Sequence, residues 1–417
     1  MTTAQAGIGP AADGPDLRPY LRLLSATQFA FNTGFYAVLP YLAAHLGDGL
    51  GMAGWLVGLV LGLRTFSQQG LFVVGGALTD RYGPRPVVLT GCVLRVAGFL
   101  WLAGADSTAT VIGAVLLIGF AAALFSPAVE SETARSAVAY EKRTGTPRAQ
   151  VLAVFSAAGQ AGAFLGPLLG SLLLLGGGFR TACLAGAVVF VGVLAGHARL
   201  MPHRPRRVRA VTGTDGLRHT VADRPFLVLC LVFSTYLVSC NQLYLALPEE
   251  VERATGSQSA LGGLFALSSL LVVVAQLPLT RWSARRIAPR AALVTGLTAV
   301  GVGFAAVPLT PAGPAGLLPA ASLVVLLTLG QMLLVPAVRG LVPDLVEDHR
   351  LGLATGALSS VSGLAVLVGS AATGTLLDAP GPVLWTVLAA VPLAGVALAL
   401  TLPGRERTPE PVTTVTD

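Results

Sequence analysis

Charged side chains lie inside long apolar runs of this sequence, where a charge is costly and is therefore a candidate for function. Arg64 and Arg95 lie near the middle of two such runs, with no carboxylate at a comparable depth. Each arginine could bond to backbone carbonyls and to Gln68 or Gln69, which would hold neighbouring helices together. Alternatively, one arginine could present its cation to an anionic or zwitterionic substrate. The sequence leaves both interpretations open.

Carboxylates at the ends of two apolar runs could carry a proton. A carboxylate can exchange a proton when burial raises its pKa and a neighbouring arginine lowers that pKa again. Glu130, Glu132 and Asp80 are the candidates in this sequence. Because Glu130 and Glu132 are two residues apart, they face different sides of a helix, and only one of them need be buried. The alternative is that these glutamates belong to an ion pair at a gate and never titrate.

Polar stripes follow helical spacing in two other apolar runs, so that the members of each stripe share one face of a helix. The members are Ser25, Gln28, Asn32 and Tyr36 in the first run and Ser234, Asn241 and Tyr244 in the second. We expect these faces to line a central cavity; the alternative is hydrogen bonding between helices, worth about 0.6 kcal/mol for each bond. The predicted substrate-cavity residues are Gln28, Asn32, Tyr36, Arg64, Arg95, Asn241 and Tyr244.

Enzymatic and metal chemistry find no support in the sequence. The five histidines lie at the ends of apolar runs or in polar stretches, without metal-ligand spacing. No phosphate-binding motif of the G-x-x-x-x-G-K type is present, and the only lysine is Lys142. We therefore predict a protein that is not an enzyme, holds no metal or cofactor and does not hydrolyse ATP.

The elements that position these residues are predicted to be membrane-spanning helices. Hydrophobic residues make up 54% of the 417 residues and charged residues only 11%, whereas soluble domains carry roughly 25% charged residues. Apolar runs of about 20 residues, the length that crosses a bilayer, recur along the chain. We predict an all-α membrane protein with twelve transmembrane helices, at residues 21–46, 54–78, 86–105, 109–133, 150–173, 180–199, 225–247, 260–283, 291–309, 316–338, 353–376 and 382–402.

The positions of the basic residues predict the orientation of these spans. Nearly all arginines fall in the loops and tails that are cytoplasmic if both termini are, and only Arg180 and Arg253 fall in predicted external loops. Topology thus accounts for the net charge of +7, and we expect no nucleic-acid partner. The basic run 203–209 is interpreted as a cytoplasmic linker that touches anionic lipid headgroups.

The two halves of the chain resemble each other. Residues 125–129 (Phe-Ser-Pro-Ala-Val) match residues 334–338 (Leu-Val-Pro-Ala-Val), and Asn32 matches Asn241 at the same offset of 209 residues. These matches indicate two pseudo-symmetric six-helix bundles related by an axis along the membrane normal. The predicted organisation is a disordered cytoplasmic tail at 1–17, bundles at 18–200 and 225–403, a cytoplasmic linker at 201–224 and a cytoplasmic tail at 404–417.

The most specific motif follows the second predicted span and reads Gly76-Ala-Leu-Thr-Asp80-Arg81-Tyr-Gly83-Pro-Arg85. Gly76 is expected to allow close approach of another helix and Gly83 to permit a tight turn, while the charged residues form a cluster at the membrane face. The stretch resembles the signature loop G-x-L-x-D-R-x-G-x-R of the major facilitator superfamily. That resemblance implies the major facilitator fold and a transporter.

The same resemblance implies a cytoplasmic gate. In the family, this loop locks the cytoplasmic side of the outward-open state. Its aspartate faces a helix N-terminus in the other half, and its arginines pair with an acid on the fourth span, for which Glu130 and Glu132 are the candidates here. The copy of the motif in the second half, around residues 276–286, lacks the aspartate.

A second motif lies in the fifth predicted span and contains Gly162, Gly166, Pro167 and Gly170. Its glycines recur every four residues and give the helix one smooth face, which Pro167 bends. The face could be a general packing seam of small residues. The pattern G-x-x-x-G-P-x-x-G at this position also resembles the antiporter motif of the exporter branches of the superfamily, which implies efflux rather than uptake.

The resemblance is densest over residues 60–100 and points to the multidrug resistance MdtH group within the drug:proton antiporters. It is carried by stretches 63–70, 75–77 and 95–99, whereas Ser126 stands where that group tends to have an acid. The resemblance implies a proton-coupled exporter of drug-like or natural-product molecules in the bacterial plasma membrane. Its expected partners are the small-molecule substrate, protons and the lipid bilayer, and it is expected to be a monomer. The alternative is an uptake or exchange carrier of the same fold.

Overall fold

The computed structural model describes residues 17–146, 148–202, 223–309, 316–346, 351–377 and 381–402. The predicted N-terminal tail up to residue 16, the basic run 203–209 and the predicted C-terminal tail lie outside the described residues.

Almost all of the described residues are helical, and no strand occurs among them. The helices are α1 (Arg18–Val38), α2 (Gly54–Gln69), α3 (Phe72–Tyr82), α4 (Pro84–Ala103), α5 (Thr108–Thr144), α6 (Arg148–Leu200), α7 (Arg224–Thr255), α8 (Leu261–Arg286), α9 (Pro289–Ala306), α10 (Leu318–Leu345), α11 (Leu351–Leu376) and α12 (Gly381–Ala399). Short helical turns at Leu39–Tyr41, Leu42–Ala44 and His45–Gly49 continue α1, and another at Val307–Leu309 continues α9.

Proline and glycine mark the helix ends. Pro84, Pro225 and Pro289 lie in the first turns of α4, α7 and α9. Backbone N–H groups in the first turn make no intrahelical hydrogen bond, so a proline there costs none. Gly145 and Gly256 follow α5 and α7 in the left-handed conformation, each at a φ of 71°, and close those helices. Part of the high glycine and proline content therefore serves to end long apolar helices.

The number of membrane spans depends on how α6 and α1 are counted. Ten helices in the described part of the chain are long and apolar enough to cross a membrane. The 53 residues of α6 would extend roughly 80 Å as one straight helix, whereas the hydrocarbon core of a bilayer is about 30 Å thick. Gly178, with a φ of 72° and a ψ of −173°, breaks α6 between the predicted fifth and sixth spans. The all-α membrane fold is confirmed, and the count becomes twelve when α6 crosses twice and the more polar α1 crosses as well.

The second predicted span is interrupted where α2 gives way to α3. The helix stops at Gln69, and Gly70 and Leu71 separate it from α3. The carbonyl of Gly70 accepts a 2.9 Å hydrogen bond from the hydroxyl of Ser360 in α11. A helix of the second half therefore binds the break in this span directly.

The two ends of the molecule are named here by one residue each. The Gly83 end holds the turns at Gly83 and Gly145, and the Gly54 end holds the turns before Gly54 and at Gly256. Antiparallel neighbours place the starts of α1 and α7 at the Gly83 end.

The buried apolar core differs between these two ends. One cluster fills the first half and continues into the second half at the Gly54 end, through Leu243, Leu247 and Leu264. Another cluster, which includes Phe226 and Leu334, lies wholly in the second half towards the Gly83 end. The two halves therefore share a core at the Gly54 end, and their cores are separate at the Gly83 end.

Candidate functional site

The glycine seam of α6, defined as Gly162, Gly166 and Gly170, packs against the backbone of α1. A Cβ atom added to Gly162 would overlap the carbonyl of Phe29, and one added to Gly170 would overlap the carbonyl of Ala37. A Cβ on Gly166 would lie 2.9 Å from a backbone oxygen of α1. The expected smooth face exists, and it brings two helices of the first half into backbone contact.

Pro167 extends this seam to the second half. Its carbonyl accepts a 2.8 Å hydrogen bond from the hydroxyl of Tyr41, which also lies 2.6 Å from Ser171 Oγ. Gly262 of α8 lies against the same group, since a Cβ on it would be 3.2 Å from the Pro167 carbonyl oxygen. The α1–α6 seam and the first turn of α8 therefore meet near the Gly54 end.

Helices α2 and α11 form a second contact between the halves. A Cβ on Gly54 would lie 2.6 Å from the carbonyl of Gly374, and one on Gly62 would lie 2.9 Å from the Leu367 backbone. Between them, Gly58 lies directly against the backbone of α11. Only glycines allow this approach, so α2 and α11 form a tight backbone seam across the two halves.

Both predicted cavity asparagines make hydrogen bonds between helices. Asn32 in α1 donates a 2.8 Å bond to the carbonyl of Gly159 in α6, within the first half. Asn241 in α7 accepts a 3.1 Å bond from Thr65 and donates a 2.8 Å bond to Ser370. Asn241 therefore joins three helices from both halves, which is the hydrogen-bonding alternative that the sequence left open. A substrate contact for either asparagine stays a prediction.

The aromatic members of the two stripes meet where the halves face each other. Tyr36 of α1 and Tyr244 of α7 lie within interaction range of each other and of Arg64. The ring of Tyr244 stacks on Phe265 at 5.5 Å between centroids, and Tyr36 packs edge-on to Phe35 at 4.9 Å. Gln28 lies further along α1, beside Gly159. Two tyrosines and one cation thus lie together at the junction of the halves.

The two intramembrane arginines are both buried, Arg64 at 6% exposure and Arg95 at 1%. Arg64 donates to Gln68 and lies 4.2 Å above the ring of Phe35. Arg95 donates a 3.0 Å bond to the carbonyl of Ile118 in α5. The predicted bonds to a carbonyl and to Gln68 therefore occur, and each arginine also contacts aromatic rings.

The signature loop turns at Gly83, which has a φ of 86° and a ψ of 161°. This is a region of backbone conformation that only glycine adopts readily. The predicted tight turn at Gly83 is confirmed. Arg81 lies 5.3 Å from the ring of Tyr82, and Arg85 donates bonds of 2.7 and 2.6 Å to the carbonyls of Met201 and Ala198.

The expected role of Gly76 in close packing is wrong. A Cβ added to Gly76 would meet nothing within 4 Å, whereas one added to Gly75 would overlap the carbonyl of Ala123 in α5. The neighbouring glycine therefore makes the close contact, because it is the one that faces α5. Asp80 lies in α3, and the prediction for its side chain lies outside what the structure describes.

The two glutamates of α5 differ in burial, as their spacing predicts. Glu132 is fully buried, and Ser136 Oγ lies 3.5 Å from its carboxylate. Glu130 is exposed and lies close enough to Arg339 of α10 for electrostatic attraction. Glu130 and Arg339 are 209 residues apart, so they occupy equivalent positions in the two repeats. A negative and a positive charge thus face each other across the pseudo-twofold axis near the Gly83 end.

A vestibule of about 490 Å³ opens at the Gly54 end between the halves. Its lining includes Tyr41, His45, Asp48 and Glu252. Burial raises the pKa of Asp48, and the carboxylate of Glu252 raises it further. The ring of His45 stacks on Phe179 at 4.1 Å between centroids. The vestibule is therefore an acidic, partly aromatic opening.

Sequence analysis missed several residues at the contacts between the halves, namely Tyr41, Thr65, Ser360 and Ser370, and it missed Gly75, which packs within the first half. A single hydroxyl in an apolar run carries no signal of its partner, because it usually bonds to its own helix. Thr65 and Ser370 both bond to Asn241, which the match between the repeats had identified. A search for polar partners of Asn241 was therefore the signal that could have found them.

Comparison with known proteins agrees with this architecture. The sequence profile described as Major Facilitator Superfamily matches residues 23–248 and, again, residues 227–417. The chain is 37% identical over 369 residues to an uncharacterized MFS-type transporter of Mycobacterium tuberculosis (strain ATCC 25618 / H37Rv), covering 86% of each protein. It is 35% identical over 265 residues to the multidrug resistance protein MdtH of Yersinia pestis (strain Pestoides F), covering 63% of this chain and 64% of that protein.

Solved structures share the fold at low sequence identity. A POT family transporter in complex with 5-aminolevulinic acid superposes with a TM-score of 0.78 at 12% identity, covering 91% of this chain and 95% of that chain. The nucleoside transporter NupG superposes with a TM-score of 0.76 at 14% identity, covering 93% and 99%. The chain belongs to the Major Facilitator Superfamily. It is a multi-pass membrane transporter and not an enzyme.

Proposed function

We propose that this transporter exports small drug-like or natural-product molecules from a bacterial cell in exchange for protons. The observation that carries the proposal is the glycine seam of α6, whose Gly162, Gly166 and Gly170 all lie against α1. The adjacent Pro167 is bonded to Tyr41 and approached by the second half. This motif, which resembles that of exporter branches, therefore lies where α1, α6 and α8 meet. Identity of 35% to a multidrug resistance protein supports a drug-like substrate.

Alternating access is the proposed mechanism. The α2–α11 seam, the contact of Gly262 with Pro167 and the Thr65–Asn241 bond all hold the halves together towards the Gly54 end. The apolar cores of the halves are separate at the Gly83 end. With both termini and the Gly83 end on the cytoplasmic side, as the arginine distribution favours, this arrangement would receive substrate from the cytoplasm.

The substrate is proposed to bind at the junction of the halves, beside Tyr36, Tyr244 and Arg64. Ligand sites of drug-sized molecules combine apolar and aromatic walls with a few polar groups, and this junction offers both. The contacts between the bundles would then break at the Gly54 end and form at the Gly83 end, which would release the substrate on the other side of the membrane.

Proton coupling is proposed to use Glu132, and gating to use Glu130. Glu132 is buried in α5, where protonation would remove the cost of an ionised carboxylate. Glu130 faces Arg339 of the other half and is placed to close the Gly83 end as an ion pair. The signature-loop residues Asp80 and Arg81 are proposed to act at the same gate. The protein is proposed to act as a monomer.

Expression in an efflux-deficient bacterial host tests this function. We expect higher minimal inhibitory concentrations for several unrelated drugs than with an empty vector, and lower steady-state accumulation of a fluorescent dye. An uncoupler that collapses the proton gradient should abolish the difference in dye accumulation. Greater dye accumulation in expressing cells would contradict export and favour an uptake or exchange carrier of the same fold.

A further inference from the structure

A small cavity lies inside the N-terminal bundle, among α1, α2, α4 and α5. The residues that line it are apolar apart from Arg64 and Arg95. Its volume is about 20 Å³, enough for one particle of about the size of a water molecule. Sites for drug-sized molecules have volumes of roughly 300–1,000 Å³. The cavity is therefore distinct from a substrate site and suited to one small ligand.

Arg95 is buried next to this cavity with unused hydrogen-bond donors. Its Nη1 donates to the Ile118 carbonyl, but its Nε and Nη2 have no hydrogen-bond partner. The rings of Phe31, Phe99 and Phe190 surround the guanidinium at 4.8, 5.3 and 5.2 Å from their centroids. Aromatic faces attract a cation, but they do not replace the bonds that buried N–H donors require.

Arg64 adds a second positive charge to the same cavity. The two cations are close enough to repel each other, and Arg64 has only the neutral partners Gln68 and Phe35. No carboxylate in the described part of the chain pairs with Arg64 or Arg95. Two like charges buried together in a membrane bundle are costly unless an opposite charge compensates them.

We propose that the cavity binds one compact monovalent inorganic anion, of the chloride class, between Arg64 and Arg95. Such an anion would accept hydrogen bonds from Nε and Nη2 of Arg95 and neutralise part of the paired positive charge. A tetrahedral oxyanion is too large for the space, and a water molecule would leave the charge uncompensated. The site goes beyond the proposed export function, because it lies within one bundle and needs no transported substrate.

The anion is placed to influence transport through Arg64. The same side chain lies within interaction range of Tyr36 and Tyr244 at the junction of the halves. An anion in the cavity would hold the Arg64 guanidinium in one position. It would thereby orient the positive charge that Arg64 presents to a substrate at the junction of the halves. The carboxylate group of a substrate could also accept hydrogen bonds from these arginines, so the experiment includes formate as a carboxylate probe.

Thermal unfolding of the purified protein in lipid nanodiscs tests the proposal. The unfolding midpoint is measured in sodium chloride, bromide, formate and gluconate at equal ionic strength. A ligand that binds the folded state raises the midpoint in a saturable way, and we expect a rise of roughly 3 °C with chloride and bromide over gluconate. Equal midpoints in chloride and gluconate would overturn the site. Stabilisation by formate but not by halides would overturn the halide assignment and indicate a carboxylate.

Matched variants locate the effect. Arg95→Gln and Arg64→Gln should each lose the chloride-dependent rise, whereas Arg290→Gln should keep it. Arg290 is a fair control because it also donates to a backbone carbonyl, that of Leu400, but lies near the surface. A full chloride response in both cavity variants would contradict the site. Because Arg95→Gln could fail to fold, bromide-soaked crystals of the unmodified protein provide a second measurement, with an anomalous peak expected between the two guanidinium groups and its absence counting against the proposal.

Discussion

Thr65 of α2 donates a 3.1 Å hydrogen bond to Asn241 of α7, and this bond joins the two halves of the transporter. Asn241 also donates to Ser370 of α11, so one side chain links three helices. The α2–α11 seam runs beside this group, with Gly58 packed against the backbone at Ser370. Polar and close-packed contacts therefore reinforce each other at the same level of the molecule.

Replacement of Asn241 by alanine is predicted to open the Gly54 end more often. The change removes the one Asn241 bond that crosses between the halves, worth about 0.6 kcal/mol in membrane proteins, so the ratio of closed to open molecules should fall by a factor of roughly three. Double electron–electron resonance between spin labels on the loops at the Gly54 end would report a larger share of long distances. Asn32→Ala is the matched control, since Asn32 bonds only within the first half, to Gly159. An unchanged distance distribution in Asn241→Ala would contradict the role of this bond.

Gly170→Ala is predicted to disrupt the glycine seam. The added methyl group would overlap the carbonyl of Ala37, so α1 and α6 must separate, at a cost of about 1–3 kcal/mol. The unfolding midpoint should fall, and drug resistance in an efflux-deficient host should drop. Gly192→Ala in the same long helix is the control, because a Cβ there meets nothing within 4 Å. Equal losses in the two variants would indicate that close packing is not what the seam provides.

Gly83→Ala is predicted to strain the signature loop. At a φ of 86° and a ψ of 161°, a residue with a Cβ costs on the order of 1–3 kcal/mol. Transport should fall sharply, because the turn sets the direction in which α4 and Arg85 leave α3. Gly76→Ala lies in open space about two helical turns before Gly83 and should transport normally. Susceptibility assays at matched expression levels compare the two, and a Gly76→Ala defect as large as that of Gly83→Ala would argue against the turn as the cause.

Exchanging the charges of Glu130 and Arg339 is predicted to show whether Glu130 acts as a gate ion pair or as a proton site. Glu130→Arg alone should place two cations opposite each other and reduce export severely. The double variant Glu130→Arg with Arg339→Glu restores opposite charges across the axis and should recover much of the lost dye efflux. No recovery in the double variant would mean that the Glu130 carboxylate has a role other than pairing with Arg339.

Much of the fold could be predicted from the sequence because lipid imposes strong rules. Apolar runs of span length, arginine-rich loops and the repeat that relates Asn32 to Asn241 all follow from the membrane environment. Element boundaries were harder to predict. The break at Gly178 was placed correctly between spans, whereas the interruption at Gly70 was not foreseen, because its carbonyl is satisfied by a distant Ser360.

The candidate site was predictable only in part. Residue type and spacing identified the polar stripes, the buried arginines and the different burial of Glu130 and Glu132. They could not show that Asn241 bonds across the halves, or that Gly75 rather than Gly76 packs on α5, since both depend on how helices rotate against each other. Glu130 and Arg339 are related by the 209-residue offset of the repeat, but the sequence does not show that the two side chains lie within range of each other.

Proton movement driven by a drug gradient in proteoliposomes tests the central claim most directly. Purified protein is reconstituted with a pH-sensitive dye inside the vesicles, and drug is added on one side in the absence of any pH gradient. We predict that drug movement drives a stoichiometric proton movement in the opposite direction. The Glu132→Gln variant should lose this proton movement but still bind the drug. The Glu130→Gln variant should keep the proton movement. Drug transport at an unchanged rate without any proton movement in the unmodified protein would contradict the account.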